Sequence, residues 1–167
     1  MDMNKSISTL FSILENYTKS IILKEIGNLD PPIDIYKIAD NYGLYVFEDD
    51  MGENESGAIV INDTGTGIMI NKRDTPYRKR FTLAHELGHF ISYRYQGKSG
   101  EIIEYRNNKS SLGKSVEEVF ANKFAAAILM PKQVLVDIKK AIGNHLEELA
   151  DIFEVSKTAI ENRLKNI

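Results

Sequence analysis

The sequence predicts an α+β protein: a small antiparallel three-stranded sheet, a helix bearing His-Glu-x-x-His, and a helical C-terminal segment with helix-turn-helix character. Three patterns carry that prediction. Leu44-Tyr45-Val46-Phe47, Ala58-Ile59-Val60-Ile61-Asn62 and Gly67-Ile68-Met69-Ile70-Asn71 are short runs rich in β-branched and aromatic residues, bounded by Gly, Asp and Asn, and read as strands. The stretches from Thr75 to Tyr93 and from Ser115 to Leu129 open on capping residues and continue in helix formers. Beyond Pro131, short periodic apolar segments alternate with turn residues.

Ile7, Leu10, Phe11, Leu14, Tyr17, Ile21 and Ile22 recur at near-helical spacing and predict an amphipathic helix from Ser6 to Ile26, closed by Gly27. Asp30-Pro31-Pro32 is a hinge, and Asp34 to Gly43 reads as a short helix capped by the first and ended by the second. Asp63-Thr64-Gly65-Thr66 joins the second and third strands as a hairpin. The polar stretch from Gln96 to Lys114 predicts a long loop whose middle, Ile102-Ile103-Glu104-Tyr105, can pair briefly. Helices are expected over Lys132 to Ile142, Asn144 to Phe153 and Lys157 to Leu164. The expected division is residues 1–131 as one domain and 132–167 as a helical segment packed on it.

A chain of 167 residues can bury one sizeable core, and 43% hydrophobic content is ordinary for a globule. With 21 basic against 24 acidic residues the net charge of −3 gives no general attraction to nucleic acid or anionic membrane. There are no cysteines, so disulfides, thiolate metal sites and cysteine nucleophiles drop out, and any metal must be held by His and carboxylate. Glu15, Asn16 and Lys19 interrupt the N-terminal apolar residues, which leaves no signal peptide or membrane span and makes the cytoplasm the expected location.

Within Phe81-Thr82-Leu83-Ala84-His85-Glu86-Leu87-Gly88-His89, two histidines four apart lie on one helix face, about one turn from each other. Both imidazoles can then reach one Zn²⁺ at about 2.0–2.1 Å. Glu86 is offset around the helix, where it can take a proton from water attacking a carbonyl. Gly88 costs a helix interior about 1 kcal/mol relative to Ala, so it needs a reason, and close approach of another backbone would supply one.

A third ligand is expected from the helix that begins at Ser115. Glu118 lies on the same face as Ala121 and Ala125, whose small side chains admit a close neighbour. Glu117 competes, because one residue turns the direction by about 100° on a helix. Ser115-x-x-Glu118 is also a capping box, in which Glu118 would serve only the backbone of Ser115.

Arg80 to His89, together with Glu118-x-x-Ala121-Asn122-x-Phe124-Ala125-Ala126 and Leu129-Met130-Pro131, resembles the ImmA/IrrE-type metallopeptidase family, an HExxH, gluzincin-like group. Ile38-Ala39, Gly43, Gly57-Ala58 and Ile70-Asn71 extend the likeness over roughly residues 33–131. The resemblance implies a zincin-type fold with His85, His89 and Glu118 as zinc ligands and Glu86 as catalytic base. It also implies an intracellular protease of bacteria or their mobile elements that cleaves a helix-turn-helix repressor encoded beside it. The chain departs from the family's pattern at Ala127, often Glu, and at Val119 and Phe120, usually more polar.

Leu149-Ala150-x-x-Phe153-x-Val155-Ser156 resembles a helix-turn-helix. A DNA-reading helix is expected to be basic. Residues 144–167 instead carry Glu147, Glu148, Asp151, Glu154 and Glu161 against Lys157, Arg163 and Lys165, which favours packing or partner contact over nucleic acid. Two readings follow: a zinc endopeptidase acting on a regulatory protein, or a non-catalytic regulator that binds DNA or a repressor through its C-terminal helices. Tyr93, Tyr105, Arg106 and His145 are the candidate oxyanion stabilisers.

Overall fold

The computed structural model describes residues 3–97, 102–107 and 115–167. In chain order the elements are α1 (Met3–Ile26), α2 (Ile35–Asn41), β1 (Leu44–Asp49), β2 (Glu55–Asn62), β3 (Gly65–Asn71), α3 (Pro76–Tyr95), β4 (Ile102–Asn107), α4 (Val116–Leu129), α5 (Lys132–Ile142), α6 (Leu146–Phe153) and α7 (Lys157–Lys165). They fall into two compact units, one formed by residues 34–125 and the other by residues 1–33 together with 126–167. Among the described residues no single helix is long and apolar enough to cross a membrane.

The α+β class holds, but the sheet differs from the three-stranded antiparallel sheet expected from the sequence. It has four strands in the order β1-β3-β2-β4 and is mixed. The β2–β3 hairpin is local and follows its turn chemistry: Asn62 Oδ1 accepts from Thr64 N at 2.9 Å and from Thr64 Oγ1 at 2.6 Å. Nothing so short ties β1 to β2. The chain instead leaves β1 through residues 50–54, and β1 joins the far edge of β3, where it runs parallel from Leu44↔Thr66 to Asp49↔Asn71. On the other side β4 pairs antiparallel with β2, from Ile61↔Ile102 to Glu55↔Asn107. The brief pairing expected at Ile102–Tyr105 is therefore present and runs on to Asn107, because the open edge of β2, some forty or more residues earlier in the chain, supplies the partner.

Side chains alternate across the sheet, so Ile59 and Ile68 share one row on one face, with Ile70 further along that face. All three are fully buried, as are Leu83, Ala84 and Leu87 of α3, the helix packed on β2 and β3. Each of these buried Ile and Leu side chains stabilises the fold by about 1.5–3 kcal/mol, which sets α3 firmly against the strands. α2 starts where Asp34 Oδ1 accepts from Lys37 N at 2.9 Å and ends before Gly43, whose φ of 74° suits a residue without Cβ.

In the helical unit, Arg163 of α7 is buried and ties separate stretches of chain together. Its Nη2 lies 2.6 Å from Glu15 Oε1 of α1, and its Nε donates to the carbonyl of Met130 at 3.0 Å. A guanidinium with a paired carboxylate and a carbonyl acceptor can be buried without an orphaned charge. α6 ends on Glu154 in the left-handed region, and Ser156 Oγ caps α7 by accepting from Ala159 N at 3.1 Å. Lys157 pairs with Glu147, so two of the three basic side chains of this segment are engaged in ion pairs.

Candidate metal centre

α3 begins as the sequence predicts: Thr75 Oγ1 accepts from Arg78 N, and Pro76 occupies the first turn. Twelve of its residues are buried, His85, Glu86, Gly88 and His89 among them. The i, i+4 spacing sets the two imidazoles edge to face, ring centroids 4.7 Å apart, with Nε2 of His85 and Nε2 of His89 at 3.0 Å.

α4 supplies the carboxylate. Glu118 Oε1 lies 3.1 Å from His89 Nε2, and Glu118 Oε2 lies 3.6 Å from His85 Nε2. Ser115 does cap α4, its Oγ accepting from Glu118 N at 3.1 Å. The Glu118 carboxylate nevertheless points at the histidines, and it is Glu118 rather than Glu117 that joins them in a group able to hold a metal ion.

Close approach of the two helices makes this possible. A Cβ on Gly88 would stand 3.1 Å from Ala121 Cα and 3.2 Å from Phe124 Cδ1, tighter than ordinary packing. Gly88 and Ala121 are therefore the point where α3 and α4 nearly touch, which accounts for a glycine inside a helix at a propensity cost of about 1 kcal/mol.

The donor set fits zinc. Three ligands at about 2.0–2.1 Å in a tetrahedron stand about 3.3 Å from one another; here the imidazole nitrogens are 3.0 Å apart, with one Glu118 oxygen 3.1 Å from His89 and the other 3.6 Å from His85. Two imidazoles and one carboxylate would leave a fourth position free on a four-coordinate ion.

Asn122 was quoted in the sequence only as part of a motif, and the structure gives it a partner. Its Oδ1 lies 3.1 Å from His85 Nδ1. A carbonyl oxygen only accepts, so Nδ1 carries the proton and the Nε2 lone pair faces the cluster. The available signal was spacing: Glu118 and Asn122 are four apart, hence on one face of α4.

Of the other sequence candidates, Tyr93 is buried one turn beyond His89, its ring stacked on that imidazole at 5.9 Å. His145 stands exposed at the start of α6 in the helical unit. The backbones of Tyr105 and Arg106 pair with Ala58 and Gly57, while their side chains lie outside the described residues. Glu86, the next residue of α3 after His85, is 2% exposed, whereas Glu118 is 22% exposed in its side chain.

Comparison with known proteins identifies the family. The profile of the IrrE N-terminal-like domain matches residues 39–165. The radiation response metalloprotease IrrE of Deinococcus radiodurans is 38% identical over 96 residues, which are 55% of this chain and 28% of that protein. The protein of the same name from Deinococcus deserti is 34% identical over 96 residues, 55% of this chain and 33% of its own length. The matched region thus spans about a third of these relatives. A Mycobacterium tuberculosis transcriptional regulator shares the fold with a TM-score of 0.59 at 17% identity, over 93% of this chain and 46% of that one. On the profile match over most of its length, the chain belongs to the family of IrrE N-terminal-like domains, the ImmA/IrrE family.

Proposed function

We propose that this protein is a zinc-dependent endopeptidase that cleaves a regulatory protein, a helix-turn-helix repressor, in the cytoplasm and thereby switches gene expression. The observation that carries the reading is the convergence of His85, His89 and Glu118 at mutual distances of 3.0 to 3.6 Å, with Glu86 on the same turn of α3. In this reading residues 1–131 form the peptidase domain and 132–167 the helical appendage. The two histidines and Glu118 are the metal ligands, and Asn122 holds the His85 ring in the tautomer that ligation needs. When bound, zinc supplies Lewis acidity toward the substrate carbonyl and the attacking water.

The protein's own residues divide the remaining work. Glu86 accepts a proton from the water as its oxygen bonds to the peptide carbon, then delivers that proton to the amine nitrogen as the carbon–nitrogen bond breaks. Burial of Glu86 and both imidazoles strengthens each of these interactions by excluding bulk water. The four-stranded sheet leaves β1 and β4 as its edges, each able to pair with an extended peptide.

The second reading, a regulator that binds without cleaving, draws on the α6–α7 helix-turn-helix. Direct DNA contact is disfavoured by the ion pairs that engage Lys157 and Arg163. Glu86→Gln separates the readings, because it spares all three metal-binding side chains. Incubation with the repressor encoded beside this gene should give cleavage by the native protein and none by the zinc-loaded variant. Unchanged biological activity of the variant would instead support the binder.

A further inference from the structure

β2 carries a glycine between Ser56 and Ala58, just before the β-branched run Ile59-Val60-Ile61. Gly57 faces α3, and its φ is not in the left-handed region, so backbone conformation does not demand a glycine. Space does. A Cβ at this position would overlap Thr82 Cγ2, stand 3.1 Å from the carbonyl oxygen of Met69 and lie 3.6 Å from Oε1 of Glu86. Thr82 is fully buried and cannot swing aside into solvent. It also lies four residues before Glu86, on the same face of α3.

The strand cannot easily retreat either. A register shift between Glu55 and Gly57 places Ser56 as the extra residue of a bulge. That residue is fully buried, and its Oγ accepts from Nε and Nη2 of Arg78 at 3.3 and 3.1 Å. Just before it, Nδ2 of buried Asn71 donates to the carbonyls of Gly52 and Glu55 at 2.7 and 2.6 Å. The bulge is thus pinned from two sides, and a Cβ added at its continuation, Gly57, would come into contact with the Glu86 carboxylate as well as overlap Thr82.

We propose that Gly57 is a positioning residue for Glu86: with no side chain of its own, it leaves the space in which Thr82 and the Glu86 carboxylate are set beside the metal cluster. This rests on the peptidase reading for its kinetic consequence, and on geometry alone for its effect on Glu86. Gly57→Ala inserts a wedge into that space, and the three atoms nearest to it belong to Thr82, Met69 and Glu86, none to His85, His89, Glu118 or Asn122. Thr82→Ser removes the methyl that the wedge would strike and keeps the hydroxyl.

The test is a cycle of Gly57→Ala, Thr82→Ser and the double variant, with Glu86→Gln as reference, all on full-length protein. A displacement of about 1 Å can cost about 10²-fold in rate. Gly57→Ala should accordingly lower kcat for repressor cleavage by about 10- to 100-fold, with KM and Zn²⁺ affinity held within about threefold, and Thr82→Ser added to it should restore most of the loss. The same proteins loaded with Co²⁺ give visible ligand-field bands that need no substrate. There Gly57→Ala should move the bands as Glu86→Gln does, and the double variant should return them.

Native kcat and native bands in Gly57→Ala would overturn the proposal. So would lost metal affinity that Thr82→Ser does not restore, because Gly57 would then serve the fold at large. If the native protein cleaves nothing while the bands follow the expected pattern, the peptidase reading fails and the positioning of Glu86 stands.

Discussion

Asn122 Oδ1 sits 3.1 Å from His85 Nδ1, so the residue one turn beyond Glu118 on α4 fixes the ring of a histidine on α3. One helix face thus delivers both a carboxylate to the cluster and the group that orients an imidazole toward it.

Removing that orienting group should loosen the metal. Partners of this kind typically contribute 10- to 100-fold in metal affinity. Asn122→Leu should weaken Zn²⁺ binding by about that factor, and Asn122→Asp, which keeps an acceptor, should hold it near native. Competition with a chromophoric chelator measures both, and equal affinity in the Leu variant would remove Asn122 from the site.

The contact between Gly88 and Ala121 should be intolerant of added bulk. A Cβ at 88 improves helix propensity by about 1 kcal/mol, whereas overpacking costs about 1–3 kcal/mol. Its nearest neighbours are the Ala121 backbone and the base of Phe124, not flexible chain ends, so the overpacking should win. Gly88→Ala should lower stability to urea by about 1 kcal/mol, and Gly88→Val by more. A stabilised Ala variant would show that α4 can shift freely.

Much of this site was legible because its signals are local. The caps at Asp34, Thr75 and Ser115 set helix starts through bonds spanning three residues, and the His-Glu-x-x-His spacing fixed which side chains share a face. Gly88 could be read as a close contact for the same reason. The sheet was legible only where a two-residue turn dictated it. The side of the hairpin on which β1 docks, and how far the pairing expected at Ile102–Tyr105 extends, depend on partners remote in sequence. Ser115-x-x-Glu118 sat between these cases: the pattern announced the cap, but only the position of α3 decided where the carboxylate points.

Acid should unfasten the loop leading into β2. Asp50 accepts hydrogen bonds from the Arg73 guanidinium and from Gly52 N, and these hold its carboxyl below the ordinary 3.8. A folded-state value below the unfolded one adds stability above the unfolded value, lost as pH falls through the folded one. The difference in urea midpoint between native protein and Asp50→Asn should be constant from about pH 5 to 7 and vanish on acidification below about pH 3.8. Because the pair is partly exposed, the difference should be small and should shrink with salt. A gap that widens in acid would contradict this account of the pair.

The most direct measurement is X-ray absorption at the zinc edge on protein loaded with one equivalent of Zn²⁺. Nitrogen and oxygen neighbours at about 2.0–2.1 Å, with outer-shell scattering from two imidazoles that drops to one in His89→Ala, are the predicted result. Failure to retain one zinc, or a bound zinc whose imidazole signal is the same in native protein and His89→Ala, would contradict it.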